Sequence, residues 1–211
     1  MDRQLSRHPA TAPGFTLVEL MVTLGVVAIL MAVAIPNMRD FIRNNRLSSG
    51  VNDLLHSIQV ARTEAIKRQN GNVVVCGTNN PTAGDNAIVC SYNTFTGWFV
   101  FQDTNGDWQH ALDGSEPVIE RHSTLDASLT VKTDANNDIV SFGPSGFANP
   151  AGARSPTATL ILCDARGVKQ VGTGATARAM FITPTGRARA SATWADVHNT
   201  AMPLVQGGSC P

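Results

Sequence analysis

The sequence predicts an α+β fold in which one long N-terminal helix carries an antiparallel β head, and three observations predict it. Residues 15–35 are almost continuously apolar, residues 37–70 repeat apolar positions at helical spacing, and the chain after Gly71 alternates short β-rich runs with Gly, Asn, Asp and Pro. The expected segments are a polar leader over 1–14, a membrane-spanning helix over 15–36, an amphipathic helix over 37–70, and a β-rich head with a C-terminal tail over 71–211. A chain of 211 residues supports one globular core with an attached segment rather than two full domains.

The first helix follows from length and polarity. The stretch FTLVELMVTLGVVAILMAVAI is long enough at about 1.5 Å per residue to cross a hydrocarbon core, and Arg3 and Arg7 ahead of it keep that end cytoplasmic. The rest of the chain is then expected outside the cytoplasm. An ordinary secretory signal would be cut after the apolar run, yet Ala34, Ile35, Pro36 and Asn37 lead straight into a helical pattern. Glu19 sits inside the run, where a carboxylate is expensive and normally has a partner. Pro36, lacking an N–H, is expected to bend or locally melt the helix.

In the second segment Leu47, Val51, Leu54, Leu55, Ile58, Ala61, Ala65 and Ile66 form a stripe to pack on the head, with Arg39, Arg43, Arg62, Lys67 and Arg68 interspersed and Gly71 as the stop. Strands are expected at 72–77, 87–92, 97–102, 117–122, 129–133, 138–142, 157–163, 168–171 and 178–183, and loops at 143–156 and in the tail 195–211.

Formal net charge is zero, which excludes a chain that is basic throughout. The charge is nevertheless uneven: residues 70–149 carry two Lys/Arg against nine Asp/Glu, and residues 150–211 carry six against two. Such a split permits a local anion-binding surface, scattered surface charge being the commoner explanation. Cys76, Cys90, Cys163 and Cys210 contain no CxxC pair and lie in β-rich stretches, which favours disulfides over zinc. Cys76 with Cys90 and Cys163 with Cys210 is the favoured pairing, the first stapling neighbouring strands and the second tying down the tail, in an oxidising compartment. The alternative of four buried thiols in a cytosolic protein conflicts with the exported N-terminus.

Little in the head points to chemistry. Asp103, Asn105 and Asp107 begin a calcium-loop pattern, but Trp108 and Gly114 stand where the turn glycine and bidentate glutamate belong, so a polar turn and no metal is expected. Ser145 lacks GxSxG spacing, and the histidines at 56, 110, 122 and 198 read as surface or capping groups. Neither catalysis nor a cofactor is expected. A membrane-tethered hydrolase would rest on scattered His and Asp residues alone.

The segment Phe181-Ile182-Thr183-Pro184-Thr185-Gly186-Arg187-Ala188-Arg189-Ala190 is more informative. If it is extended, Arg187 and Arg189 project to one face roughly 6.6 Å apart, a spacing suited to neighbouring phosphates, with Gly186 and Ala188 leaving the approach open. Lys169, Arg178, Arg154 and Arg166 are expected to widen the basic surface. A polar strand end with solvated arginines would present the same spacing.

Two stretches carry a resemblance. Gly14 followed by Phe15-Thr16-Leu17-Val18-Glu19-Leu20 resembles the prepilin peptidase site of type IV pilins and type II secretion pseudopilins. The resemblance implies cleavage between Gly14 and Phe15, methylation of the new Phe15 amino group, and a role for Glu19 in matching a neighbouring subunit's N-terminal ammonium during assembly in the inner membrane. The overall plan, with Cys163-Asp164-Ala165-Arg166-Gly167 and the later Gly186-Arg187-Ala188-Arg189, is similar to the FimT branch of the GspH/FimT minor pilins. In that branch a Gly-Arg-x-Arg motif is associated with DNA binding in natural transformation, which implies DNA, other pilins and minor pilins, and prepilin peptidase as partners. The alternative is a structural pseudopilin of a type II secretion system that does not bind DNA.

Overall fold

The computed structural model describes residues 14–91, 94–107, 109–122, 125–133, 139–148 and 158–204. The chain divides into two compact units, Met1–Ile42 and Arg43–Pro211. Helix α1, Leu17–Arg68, begins in the first unit and ends in the second.

In the first unit every described residue is exposed, and the helix is long and apolar enough to cross a membrane. Thr16 caps it: its Oγ1 accepts from the Glu19 N–H at 3.2 Å, which satisfies one of the orphan donors of the first turn. Thr16 and Glu19 thus stand at capping-box spacing, and an acidic residue in the first turn also complements the positive end of the helix dipole. The helix continues through Pro36 without interruption, so the melted form expected there is not adopted. One lost backbone bond is tolerated inside a long helix, and the Asn37 side-chain amide donates to the Val33 carbonyl at 3.1 Å within the same turn.

The second unit is organised around the rest of α1. Leu47, Val51, Leu54, Ile58, Ala61 and Ala65 are buried as one stripe, alternating steps of three and four residues. Of the expected stripe only Ile66 stays exposed, while Leu55 packs at its margin. The helix stops where Gln69 and Gly71 take positive φ, and Gly71 is held so close to the Asp103 carbonyl that a Cβ would lie 2.6 Å from it.

Two antiparallel sheets cover the stripe. The first has the order β4-β3-β1-β6, with β1 Asn72–Thr78, β3 Gly97–Asp103, β4 Val118–His122 and β6 Ile139–Phe142. The second has the order β10-β9-β7-β5-β2, with β2 Thr94–Phe95, β5 Leu129–Thr133, β7 Ala158–Asp164, β9 Gly174–Ile182 and β10 Ala188–Thr193; β8, Gln170–Val171, pairs with β9. Alternation along each strand divides the core. Val73, Val75, Trp98, Val100 and Phe142 of the first sheet and Leu160, Leu162, Met180 and Ile182 of the second meet α1 in one cluster.

The outer faces are covered too, and here the structure corrects the sequence reading. Residues 87–91 form no strand, and Tyr92 lies outside the described residues. Their described part is a turn that lays Ile88 on Val74, Phe99 and Phe101, so its apolar character comes from covering a sheet face. Cys76 and Cys90 are joined and pin that loop, and Arg121 holds it through the Ala83 carbonyl and the Asp85 carboxylate. The tail is not all loop either: α2, Trp194–Leu204, packs on the outer face of the second sheet, where Val197 meets Ile161, Cys163, Ala177 and Ala179. Small alanines on that face let a helix approach closely. Cys163 is disulfide-bonded; Cys210, its expected partner, lies outside the described residues. The expected strand at 178–183 begins four residues earlier, and β10, Ala188–Thr193, is a strand that was not expected.

Candidate functional site

The Gly-Arg-Ala-Arg stretch closes the β9–β10 hairpin. Thr183 N–H donates to the Arg187 carbonyl at 2.9 Å and Gly186 N–H to the Thr183 carbonyl at 2.8 Å, while Thr183 Oγ1 accepts from the Arg187 N–H at 3.2 Å. Pro184 at the second turn position and a left-handed Gly186 at the fourth, φ +75°, are the residues such a turn demands. Gly186 is needed twice over, because a Cβ on it would stand 2.3 Å from the Gly146 carbonyl oxygen. Two loops therefore touch backbone to backbone. Arg62 of α1 binds both, Nε donating to the Gly146 carbonyl at 3.0 Å and an Nη to the Thr185 carbonyl at 3.3 Å, and Ala148 N–H donates to the Pro184 carbonyl at 3.0 Å.

Arg187 is exposed on this braced turn and makes no ion pair among the described residues. Arg189 lies in the edge strand β10, its guanidinium 4.3 Å above the Phe181 ring and 3.2 Å from Asp196 of α2. The strand begins at Ala188, and Arg187 just before it continues the β9–β10 register, its carbonyl accepting from the Thr183 N–H.

Among the described residues the wider basic surface does not assemble. Arg178 is on the α1-facing side of β9, opposite Arg189; it is half-buried, and its Nη1 donates to the Ala175 and Ala177 carbonyls at 3.0 Å each. Burial pulls this guanidinium below its usual range. Lys169 is exposed, but its backbone pairs with Thr176, six residues along β9 from Ile182 and so about 20 Å from the turn. Arg166 is neutralised by Asp164, donating to both carboxylate oxygens at 2.7–3.0 Å. Arg154 lies outside the described residues.

The Asp164–Arg166 pair gives the head a pH dependence. Burial pushes the Asp164 carboxyl up, but the hydrogen bonds and charge of Arg166 outweigh it and hold the group below the ordinary carboxylate range. A depressed pKa contributes stability above the unfolded value, about 3.9, and that contribution is lost as pH falls through the folded value. Melting temperature should therefore drop below about pH 4, and Asp164→Asn should flatten that drop in thermal melts from pH 6 to pH 3.

At the other end of the chain, Gly14 and Phe15 precede the Thr16 cap and are both exposed. Residues 12–35 match the model of the prokaryotic N-terminal methylation motif, and residues 50–186 match that of type II transport protein GspH. The chain belongs to the GspH family. It is thereby a type IV pilin-like minor pilin or pseudopilin, and membership implies other pilins and prepilin peptidase as partners. Two crystal structures of the type IV minor pilin FimU of Pseudomonas aeruginosa are similar at 17% and 15% identity, with TM-scores of 0.47 and 0.45, covering 72% and 69% of this chain and 92% of each of theirs. Likeness that loose adds nothing to the family assignment. Among curated proteins none matches the chain by sequence. The GspH match ends at Gly186, so it does not reach Arg187, Arg189 or α2.

One further cluster in this GspH-family head was only half visible in the sequence. Asp103, Asp107 and Glu116 bring carboxylate oxygens within 4.8 Å of one another. Backbone donors hold them: Gly106 N–H reaches Asp103 Oδ1 at 2.7 Å, Gln109 N–H reaches Asp107 Oδ1 at 2.8 Å, and Thr104 and Ala111 N–H reach the two oxygens of Glu116 at 3.0 and 2.9 Å. The acids organise the loop after β3. Glu116 escaped notice because nothing in its neighbourhood marks a buried acid. His110, expected as a surface or capping group, is buried there with its ring nitrogens on the Ile88 and Glu116 carbonyls.

Proposed function

We propose that this protein is a minor pilin of a type IV pilus, of the FimT kind, that binds extracellular DNA through its backbone for uptake in natural transformation. Its helix anchors it in the inner membrane after cleavage at Gly14, with the head on the periplasmic side before assembly. The observation that carries the reading is Arg187, a solvated guanidinium on a turn braced by Gly186, Gly146 and Arg62. A cation carried on a braced backbone has less freedom to lose on meeting a phosphate than one on a loose loop, and the contact is indifferent to base sequence. Arg189 must first leave Asp196, so it contributes less than Arg187.

The test is DNA binding by the full chain in neutral detergent across a salt series. Wild type should bind duplex weakly and salt-sensitively, and the Arg187→Ala/Arg189→Ala variant should lower the salt slope by about two units without altering the melting temperature. No binding at low salt would favour the second reading, a structural pseudopilin of a type II secretion system, which the family description and the Arg189–Asp196 pair support. Glu19 has the same role in either case. Glu19→Ala should abolish filament incorporation while leaving the head folded, and normal incorporation would remove the matching role assigned to it.

A further inference from the structure

The turn that carries Arg187 is strapped to a second loop, and that loop carries Phe147. Phe147 is 53% exposed, and it is the one exposed Phe, Tyr or Trp among the described residues of the second unit. The backbone beneath it is fixed on every side. Gly143 N–H donates to the Phe147 carbonyl at 3.1 Å, Phe147 N–H to Ser145 Oγ at 3.4 Å, Gly146 accepts from Arg62, and Ala148 N–H reaches Pro184 in the motif turn. A large apolar ring held out to water on a rigid loop contributes nothing to the core.

Its position links it to the arginine motif. The Gly146 carbonyl lies against Gly186, and Phe147 and Arg187 are the next residues of the two chains after those glycines. An exposed aromatic side chain and a guanidinium without an ion pair among the described residues are therefore carried by two backbone segments in direct contact. The neighbouring Ile66, 44% exposed, touches the same loop at Gly146. Two exposed side chains make a patch far below the roughly 800 Å² per partner of a stable protein interface, which argues against another subunit as the occupant.

We propose that Phe147 is a base-stacking platform: a phosphate of the bound strand rests on Arg187 and an adjacent unpaired base stacks on Phe147. The site then takes single-stranded DNA in preference to duplex, whose bases are already stacked on one another. Duplex binds through the arginines alone. This rests on the DNA-binding reading above and adds to it the form of nucleic acid that the site selects.

Fluorescence anisotropy on the full chain in neutral detergent separates the two readings, with three probes of equal length: oligo-dT, a fully abasic deoxyribose-phosphate strand, and a blunt duplex. Wild type should bind oligo-dT about tenfold more tightly than the abasic strand, the low end of what one base–aromatic stack supplies. Phe147→Ala should erase that difference while leaving the abasic and duplex affinities unchanged, Phe147→Leu should behave likewise, and Phe147→Trp should restore it, with emission of that variant quenched by oligo-dT. Equal binding of oligo-dT and the abasic strand by wild type, with loss in the arginine double variant, would overturn the platform and leave the DNA reading standing. Loss of all three probes in Phe147→Ala would assign the ring a structural role and also overturn it. Failure of wild type to bind any probe would remove both readings.

Discussion

Gly186→Ala is expected to lower the stability of the head by about 3 kcal/mol and to abolish whatever binding Arg187 supports. The left-handed φ of +75° alone costs an L side chain about 1–2 kcal/mol. The larger obstacle is the Gly146 carbonyl oxygen, 2.3 Å from where the methyl would go, because that atom is backbone and is itself held by Arg62. The loops must part, and the bonds from Arg62 to Gly146 and from Ala148 to Pro184 go with them. For a chain of this size about 3 kcal/mol shifts the melting temperature by roughly 10 °C. Gly146→Ala is the control. It has the same φ, but its methyl would meet the Ile66 side chain at 2.7 Å, which can swing aside, so about half the loss is expected. Equal melting temperatures for the two variants would show that the loops are not locked to each other.

That contrast also shows what could be read from the chain. The α1 stripe was legible because periodicity is a local property: one side of a helix must be apolar to bury itself, and Leu47 to Ala65 say so without knowing their partners. The same holds for Gly71, whose stop signal acts within one turn. What escaped was set by distant partners. Residues 87–92 resemble a strand in composition, but their apolar side chains cover the outer face of the first sheet, and only the fold supplies that face. Strand β10 is rich in alanine and carries weak β-propensity; it is a strand because β9 offers an edge. Helix α2 exists because that sheet's outer face needs a cover, a demand invisible from residues 195–204.

The motif shows the same division. Gly186 and the two arginines were singled out by the resemblance as well as by spacing, yet neither could tell which arginine is engaged or that Arg178 faces the other way, because both depend on strand parity and on α2. Arg62 and Phe147 lie far from the motif in sequence and were passed over as one of several helix cations and as a residue in a Gly/Pro-rich loop. The brace and the exposed ring are tertiary features, created when the β9–β10 turn and the loop after β6 meet over α1. Salt dependence follows from this economy: with Arg166 and Arg178 engaged internally, few cations remain to meet phosphates, so affinity should be modest and the salt slope small, about two units.

Glu116→Ala is expected to destabilise the head by about 3 kcal/mol, although Glu116 is an acid beside two other acids. Two effects oppose each other. Removing the charge relieves repulsion from Asp103 and Asp107, which at oxygen separations within 4.8 Å and an effective dielectric near 20 is about 3.5 kcal/mol or more per pair before neighbouring donors offset it. The backbone N–H groups of Gly106, Gln109, Thr104 and Ala111 point at the same oxygens and offset that repulsion in place. Alanine, by contrast, leaves the Thr104 and Ala111 donors without their acceptor in a site where Glu116 is 1% exposed, at about 1–3 kcal/mol each. Loss of acceptors therefore outweighs relief of charge, and the melting temperature should fall by roughly 10 °C. Glu116→Gln separates the effects, since its amide oxygen keeps one acceptor while the charge goes; it should fall between wild type and alanine. A glutamine variant more stable than wild type would mean that repulsion dominates the loop and that the hydrogen bonds merely tolerate it.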